Sequence, residues 1–183
     1  MFYEEEYDQY LSSLGRTDGT RRHHRHALQK LVGFLESQGI TDAKAVCSHH
    51  IEAFTRYLVG DGYRGKTLVG YLIRIRVYFE FLESRKTIFL SPTVGLKLPR
   101  YDPGHHAAFD NATLLARLEQ LDTGSEIGLR ARAILELAYS AALRPREVRA
   151  LRIGDIDEAK GQLFLEQSKN RKDRIVPVGP TAL

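Results

Sequence analysis

Ala138-Tyr139-Ser140-Ala141-Ala142-Leu143-Arg144-Pro145-Arg146-Glu147-Val148-Arg149-Ala150-Leu151 is the stretch that decides the reading of this chain. A proline disfavours the α region for the residue before it and is welcome at the first helical position. Arg144 is therefore expected in an extended elbow just before a helix N-terminus. Such an end presents unpaired backbone N–H groups and a partial positive charge, which suits a phosphate. An arginine fork at that place holds two phosphate oxygens at once. Glu147, in the first turn, buttresses the fork or complements the helix dipole. Read by itself, a Leu-Arg-Pro-x-Glu elbow is equally a plain helix start with an ion pair.

Downstream, residues 162–166 and 174–178 read as two strands of a hairpin, joined by the basic loop Gln167-Ser168-Lys169-Asn170-Arg171-Lys172-Asp173. Upstream, Ala131, Ile134, Leu135 and Ala138 fall at i, i+3, i+4 and i+7 of a helix, with Tyr139 in its core. A shorter helix before it has Asp110 or Asn111 as N-cap and Leu114, Leu115, Leu118 and Leu121 as its stripe. Between residues 85 and 106 the pattern lapses, and Pro92, Gly95, Pro99, Pro103 and Gly104 mark a domain boundary.

The first half reads as four helices. The first covers about residues 3–14. The second follows a turn at residues 16–20 and carries Leu28, Leu31, Val32 and Leu35. The third, capped by Ser48, carries Ile51, Phe54, Leu58 and Val59. The fourth, from about residue 65, has a seam of Leu68, Leu72, Ile75, Phe79 and Leu82, with Lys66, Gly70 and Arg74 on its other side. Four amphipathic helices in about ninety residues make a small bundle.

The chain has 183 residues, 27 lysines and arginines against 23 acids, and a pI near 9.2. The excess of +4 is modest, but it is concentrated. Residues 16–30 hold Arg16, Arg21, Arg22, Arg25 and Lys30 with three histidines against Asp18 alone, and residues 64–76 hold Arg64, Lys66, Arg74 and Arg76 with no acid. Two basic segments point to a polyanion, or else to two solvated helix faces. No apolar run approaches the ~20 residues of a membrane span. The acidic start and the single cysteine, Cys47, fit a cytoplasmic protein with no disulfide. Cys47 reads as a small buried side chain. His23-His24-x-His26 falls on one helix whose adjacent side chains diverge, so no metal site is expected there, nor at His49-His50 or His105-His106. No nucleotide motif or other cofactor signal is present.

The elbow, Asp155-Ile156-Asp157, and the hairpin with Lys169 through Val178 together resemble the tyrosine recombinase (phage integrase, Xer-like) family. The helical half, with Tyr78-Phe79-Glu80-Phe81-Leu82 and Ser91-Pro92 through Leu98-Pro99, is similar to that family's core-binding domain and linker. The resemblance implies a mainly α fold: an N-terminal four-helix SAM-like core-binding bundle over residues 1–98, then an incomplete α+β catalytic domain with a small β-hairpin or sheet over 99–183. It implies site-specific DNA strand breakage and rejoining through a phosphotyrosine intermediate. Arg144 then clamps the scissile phosphate, Glu147 supports that arginine, and Lys169 protonates the departing oxygen, with Lys172 as the second candidate in the same loop. The duplex lies against Arg21, Arg22 and Arg25 of the second helix and Lys66, Thr67 and Arg74 of the fourth, Thr67 at base edges. The partners implied are double-stranded DNA and other recombinase protomers, with no membrane.

The family's remaining parts, a His-x-x-Arg motif, a further His or Trp and the tyrosine nucleophile, all lie downstream of this point. All seven histidines and all nine tyrosines here precede Arg144, and there is no tryptophan. Tyr101 and Tyr139 are poor substitutes. The expectation is a truncated chain that does not cleave DNA in cis, with an exposed apolar face on the elements between residues 114 and 178. The alternatives are a catalytically silent protein occupying recombination sites and a helical protein-interaction module.

Overall fold

The three-and-four spacing of apolar residues folds the N-terminal half into α1 (Glu4–Ser13), α2 (Asp18–Ser37), α3 (Ser48–Gly60) and α4 (Gly65–Ser84). The computed structural model describes residues 1–102, 104, 110–166, 173–179 and 182. The chain divides into two compact units, Met1–His105 and His106–Leu183.

In the first unit each helix turns one stripe inward. Tyr7 and Leu11 of α1, Leu28, Leu31 and Leu35 of α2, Ile51, Phe54 and Leu58 of α3, and Leu72, Ile75, Phe79 and Leu82 of α4 form one buried cluster. Thr17 caps α2, its hydroxyl accepting the Thr20 N–H at 3.3 Å. Tyr78, fully buried on α4, donates its hydroxyl to the Phe2 carbonyl at 2.5 Å and so ties the N-terminus to the bundle. The punctuated segment after α4 stays on this core. Leu96 and Leu98 pack against it, Arg76 donates to the Leu96 carbonyl at 2.7 Å, and buried Ser91 and Thr93 share a hydrogen bond.

The cap of α3 differs from expectation. Cys47, and not Ser48, is its N-cap, and Cys47 is exposed where a buried side chain is expected. The Cys47 thiol stays at the surface and donates to the Ala45 carbonyl at 3.7 Å.

The second unit contains α5 (Asn111–Glu119), α6 (Glu126–Ser140), α7 (Pro145–Ala150) and a sheet of β1 (Ile156–Asp157), β2 (Gln162–Leu165) and β3 (Arg174–Pro177), antiparallel in that order. β1 pairs Ile156 with Leu163, and its two residues are too short to show an alternation in sequence. Asp110 caps α5 and Ser125 caps α6. Ala141, Leu143, Leu163, Leu165 and Val178 make the core. α6 buries none of its 15 residues. Ile127 is 84% exposed, and Tyr139, expected in the core, is 52% exposed. Among the described residues of α6, Leu137 and Ala138 pack against this core, and Tyr139, the next residue along, points away from it. Among the described residues, no helix is long and apolar enough to cross a membrane.

α6 ends in a Schellman turn. The Leu143 N–H reaches the Ala138 carbonyl at 2.9 Å, and Ala142 adopts φ +47°. An alanine there carries a left-handed cost of about 1–2 kcal/mol, against about 0.4–1 kcal/mol of extra chain entropy for glycine. Ala142→Gly is therefore expected to stabilise this unit by about 0.5–1 kcal/mol, read as a higher urea midpoint.

Candidate phosphate-binding elbow and basic groove

Pro145 at the first position of α7 leaves Arg144 extended, at φ −77° and ψ 153°. The elbow is closed by Glu147, which is 9% exposed. Its carboxylate accepts the Arg144 backbone N–H at 2.8 Å and the Arg144 Nη1 at 2.8 Å. It also accepts both ends of the Arg174 fork from β3, Nη1 at 2.7 Å and Nη2 at 2.9 Å. One buried carboxylate thus holds two guanidinium groups, and the trio keeps a net charge of +1. The bond to Glu147 raises the pKa of Arg174 further above its already high value. The Arg144 side chain is 53% exposed, so its guanidinium stands at the surface in a fixed direction. This arrangement suits an anion with several oxygens.

Sequence reasoning missed Arg174. The strand alternates, with Arg174 and Val176 half-buried and Ile175 and Pro177 exposed. A charged residue in phase with an inward valine calls for a buried counter-charge, and that phase was the available signal. Lys169 and Lys172 lie outside the described residues.

In the first unit, Lys66, Thr67 and Arg74 of α4 line one groove of about 550 Å³ with His23 and His26 of α2, Gly70 and Tyr101. The Arg74 guanidinium lies folded back over Gly70, in the space a side chain there would share with it. Arg22 is exposed on α2. Arg21 and Arg25 are held differently: both pair with Asp8 of α1, at 3.0 and 3.1 Å, and Arg21 also with Asp18 at 2.7 Å.

The groove's positive field reaches the buried edge of α2. Tyr7 and His24 share a hydrogen bond of 2.7 Å. Burial first, then Arg74, Arg16 and His23, lower the His24 pKa to about 4. The unfolded imidazole, near 6.5, takes up a proton that the folded one refuses, so this contribution is present above pH 6.5 and is lost as pH falls towards 4. Acidification from pH 7 to 4.5 is expected to destabilise the first unit by about 1–2 kcal/mol more in the native sequence than in His24→Asn, after discounting for partial exposure. Urea unfolding of both proteins at the two pH values measures it.

The phage integrase N-terminal SAM-like domain matches residues 5–86, and the phage integrase family matches residues 109–183. The chain is 31% identical over 191 aligned positions to tyrosine recombinase XerC 2 of Ralstonia nicotianae, covering 99% of this chain and 54% of that protein. It is 34% identical over 160 positions to tyrosine recombinase XerC of Xanthomonas campestris pv. campestris, covering 87% of this chain and 49% of that one. A lambda integrase tetramer bound to a Holliday junction shares the fold, with a TM-score of 0.75 at 16% identity over 96% of this chain and 49% of the other. The chain belongs to the phage integrase, or tyrosine recombinase, family. It spans about half the length of the curated relatives it matches.

Proposed function

We propose that this chain binds duplex DNA for site-specific recombination, acting in the cytoplasm and beside further recombinase protomers. In this reading residues 1–98 are the core-binding domain and residues 99–183 carry the first part of the catalytic site. The observation that carries it is the Glu147 carboxylate gripping Arg144 and Arg174 at 2.7–2.9 Å, which presents Arg144 as a held, exposed cation. Arg144 clamps the phosphate at which the strand is broken and offsets charge that builds on its oxygens. Glu147 positions Arg144, and Lys169, with Lys172 as second candidate, supplies the proton to the leaving oxygen. Lys66, Arg74 and Arg22 meet backbone phosphates, and Thr67, at the first turn of α4, meets base edges. Arg21 and Arg25 join them by exchanging Asp8 for phosphate. Strand breakage through a phosphotyrosine needs a tyrosine brought to Arg144, and none of the nine follows Tyr139 in this sequence.

Fluorescence anisotropy with a labelled mixed-sequence duplex tests the reading. For about four neutralised phosphates, affinity is expected to fall on the order of a hundredfold between about 50 and 200 mM salt. Arg144→Ala should weaken binding and flatten that dependence, while Arg144→Lys retains part of it. Salt-independent binding, or no loss in Arg144→Ala, overturns the proposal.

A further inference from the structure

We propose that Cys47, His49 and His50 form a surface site for one borderline-soft divalent cation, of the zinc or cobalt kind, with water completing its coordination. One donor atom from each of the three lies within 4.8 Å of the others. The start of α3 brings them together. Cys47 is the N-cap, extended at φ −113° and ψ 169°, so its sulfur leaves the helical spiral and turns over the first turn. His50 reaches back to the same point, its Nδ1 accepting the Cys47 N–H at 3.0 Å. The His49 ring stands beside that of His50, their centroids 3.8 Å apart. Divergence of adjacent helical side chains argues against a metal at residues 23–26 and, from sequence, at His49-His50 as well; here the two rings nevertheless stand side by side, and Cys47 lies outside the helix.

The donor set selects the ion. One sulfur and two imidazole nitrogens match zinc or cobalt, whereas calcium and magnesium take oxygen. Cys47 and His49 are exposed and His50 is half-buried, so an ion enters from solvent without opening the bundle. Binding has an identifiable cost. A metal on His50 Nε2 leaves the ring proton on Nδ1, and a metal on Nδ1 takes that lone pair directly; either way the bond from the Cys47 N–H is given up. The Cys47 thiol also gives up its donation to the Ala45 carbonyl at 3.7 Å, and the thiolate and two nitrogens outweigh these two neutral hydrogen bonds. None of the three residues lines the α2–α4 groove, so the site is separate from the DNA contacts proposed above.

Cobalt(II) titration of the whole chain under reducing conditions reads the site directly. The expected result is a thiolate-to-cobalt charge-transfer band saturating at one ion per chain and displaced by zinc. Cys47→Ser should abolish the band, and His49→Gln or His50→Gln should each weaken binding by at least about tenfold. All three positions are at or near the surface, and an unchanged far-ultraviolet circular dichroism spectrum checks that each variant folds. No band at equimolar cobalt, a band untouched by the two histidine changes, or one ion shared by two chains would each overturn the site.

Discussion

Glu147→Ala is expected to destabilise the second unit by about 2–3 kcal/mol, enough to lower its urea midpoint clearly while that of the first unit stays in place. The carboxylate is nearly inaccessible and, among the described residues, accepts from the Arg144 backbone and from the Arg144 and Arg174 guanidinium groups. Removing one partner of a buried ion pair commonly costs about 3–5 kcal/mol, because the other charge is left uncompensated. Here the arginine side chains are 53% and 30% exposed and regain water, which brings the figure down. Glu147→Gln keeps the shape and part of the hydrogen bonding, and should cost about half as much. A second readout separates positioning from stability. At a temperature where Glu147→Gln is still folded, duplex binding should weaken although Arg144 is intact. If the midpoint is unchanged in Glu147→Ala, the trio does not hold the elbow.

Lys66→Ala combined with Arg74→Ala should weaken duplex binding by roughly 10- to 30-fold at low salt and reduce the slope of log K against log salt by about 2. Both side chains line the α2–α4 groove, and no ion pair holds either among the described residues. Arg21→Ala with Arg25→Ala provides the contrast. These arginines already have Asp8 as counter-ion, so exchanging it for phosphate gains less, and the loss should stay below about threefold. Thr67→Val should leave the salt slope alone and change only the preference among duplex sequences. Equal losses in the two double variants would mean that the groove is not the binding face.

The helical half was legible because burial there is periodic. Leu28, Leu31 and Leu35, and Leu72, Ile75, Phe79 and Leu82, are all inward, as their spacing requires. The elbow was legible because Pro145 fixes what precedes it. Three things were not. Cys47 took the cap from Ser48, which is already the first helical residue, so the preference of serine for a cap did not set the boundary. The burial of Tyr139 failed because periodicity gives a helix its face but not the surface that covers it. Arg174 escaped because its partner lies 27 residues away, and no local pattern carries a contact across that separation.

The Arg174–Glu147 bond also bears on strand pairing. β2 and β3 match Leu165 with Arg174 and Leu163 with Val176. A slip of one residue reverses every side chain of β3, turning Ile175 towards the carboxylate and Arg174 out to water. Between the two aliphatic residues of β3 the slip exchanges Val176 for Ile175 on the inward face, a small change beside the loss of Arg174. Here the misaligned hairpin also takes Arg174 away from Glu147, so the carboxylate works as a register key: one alignment of the two strands completes the trio.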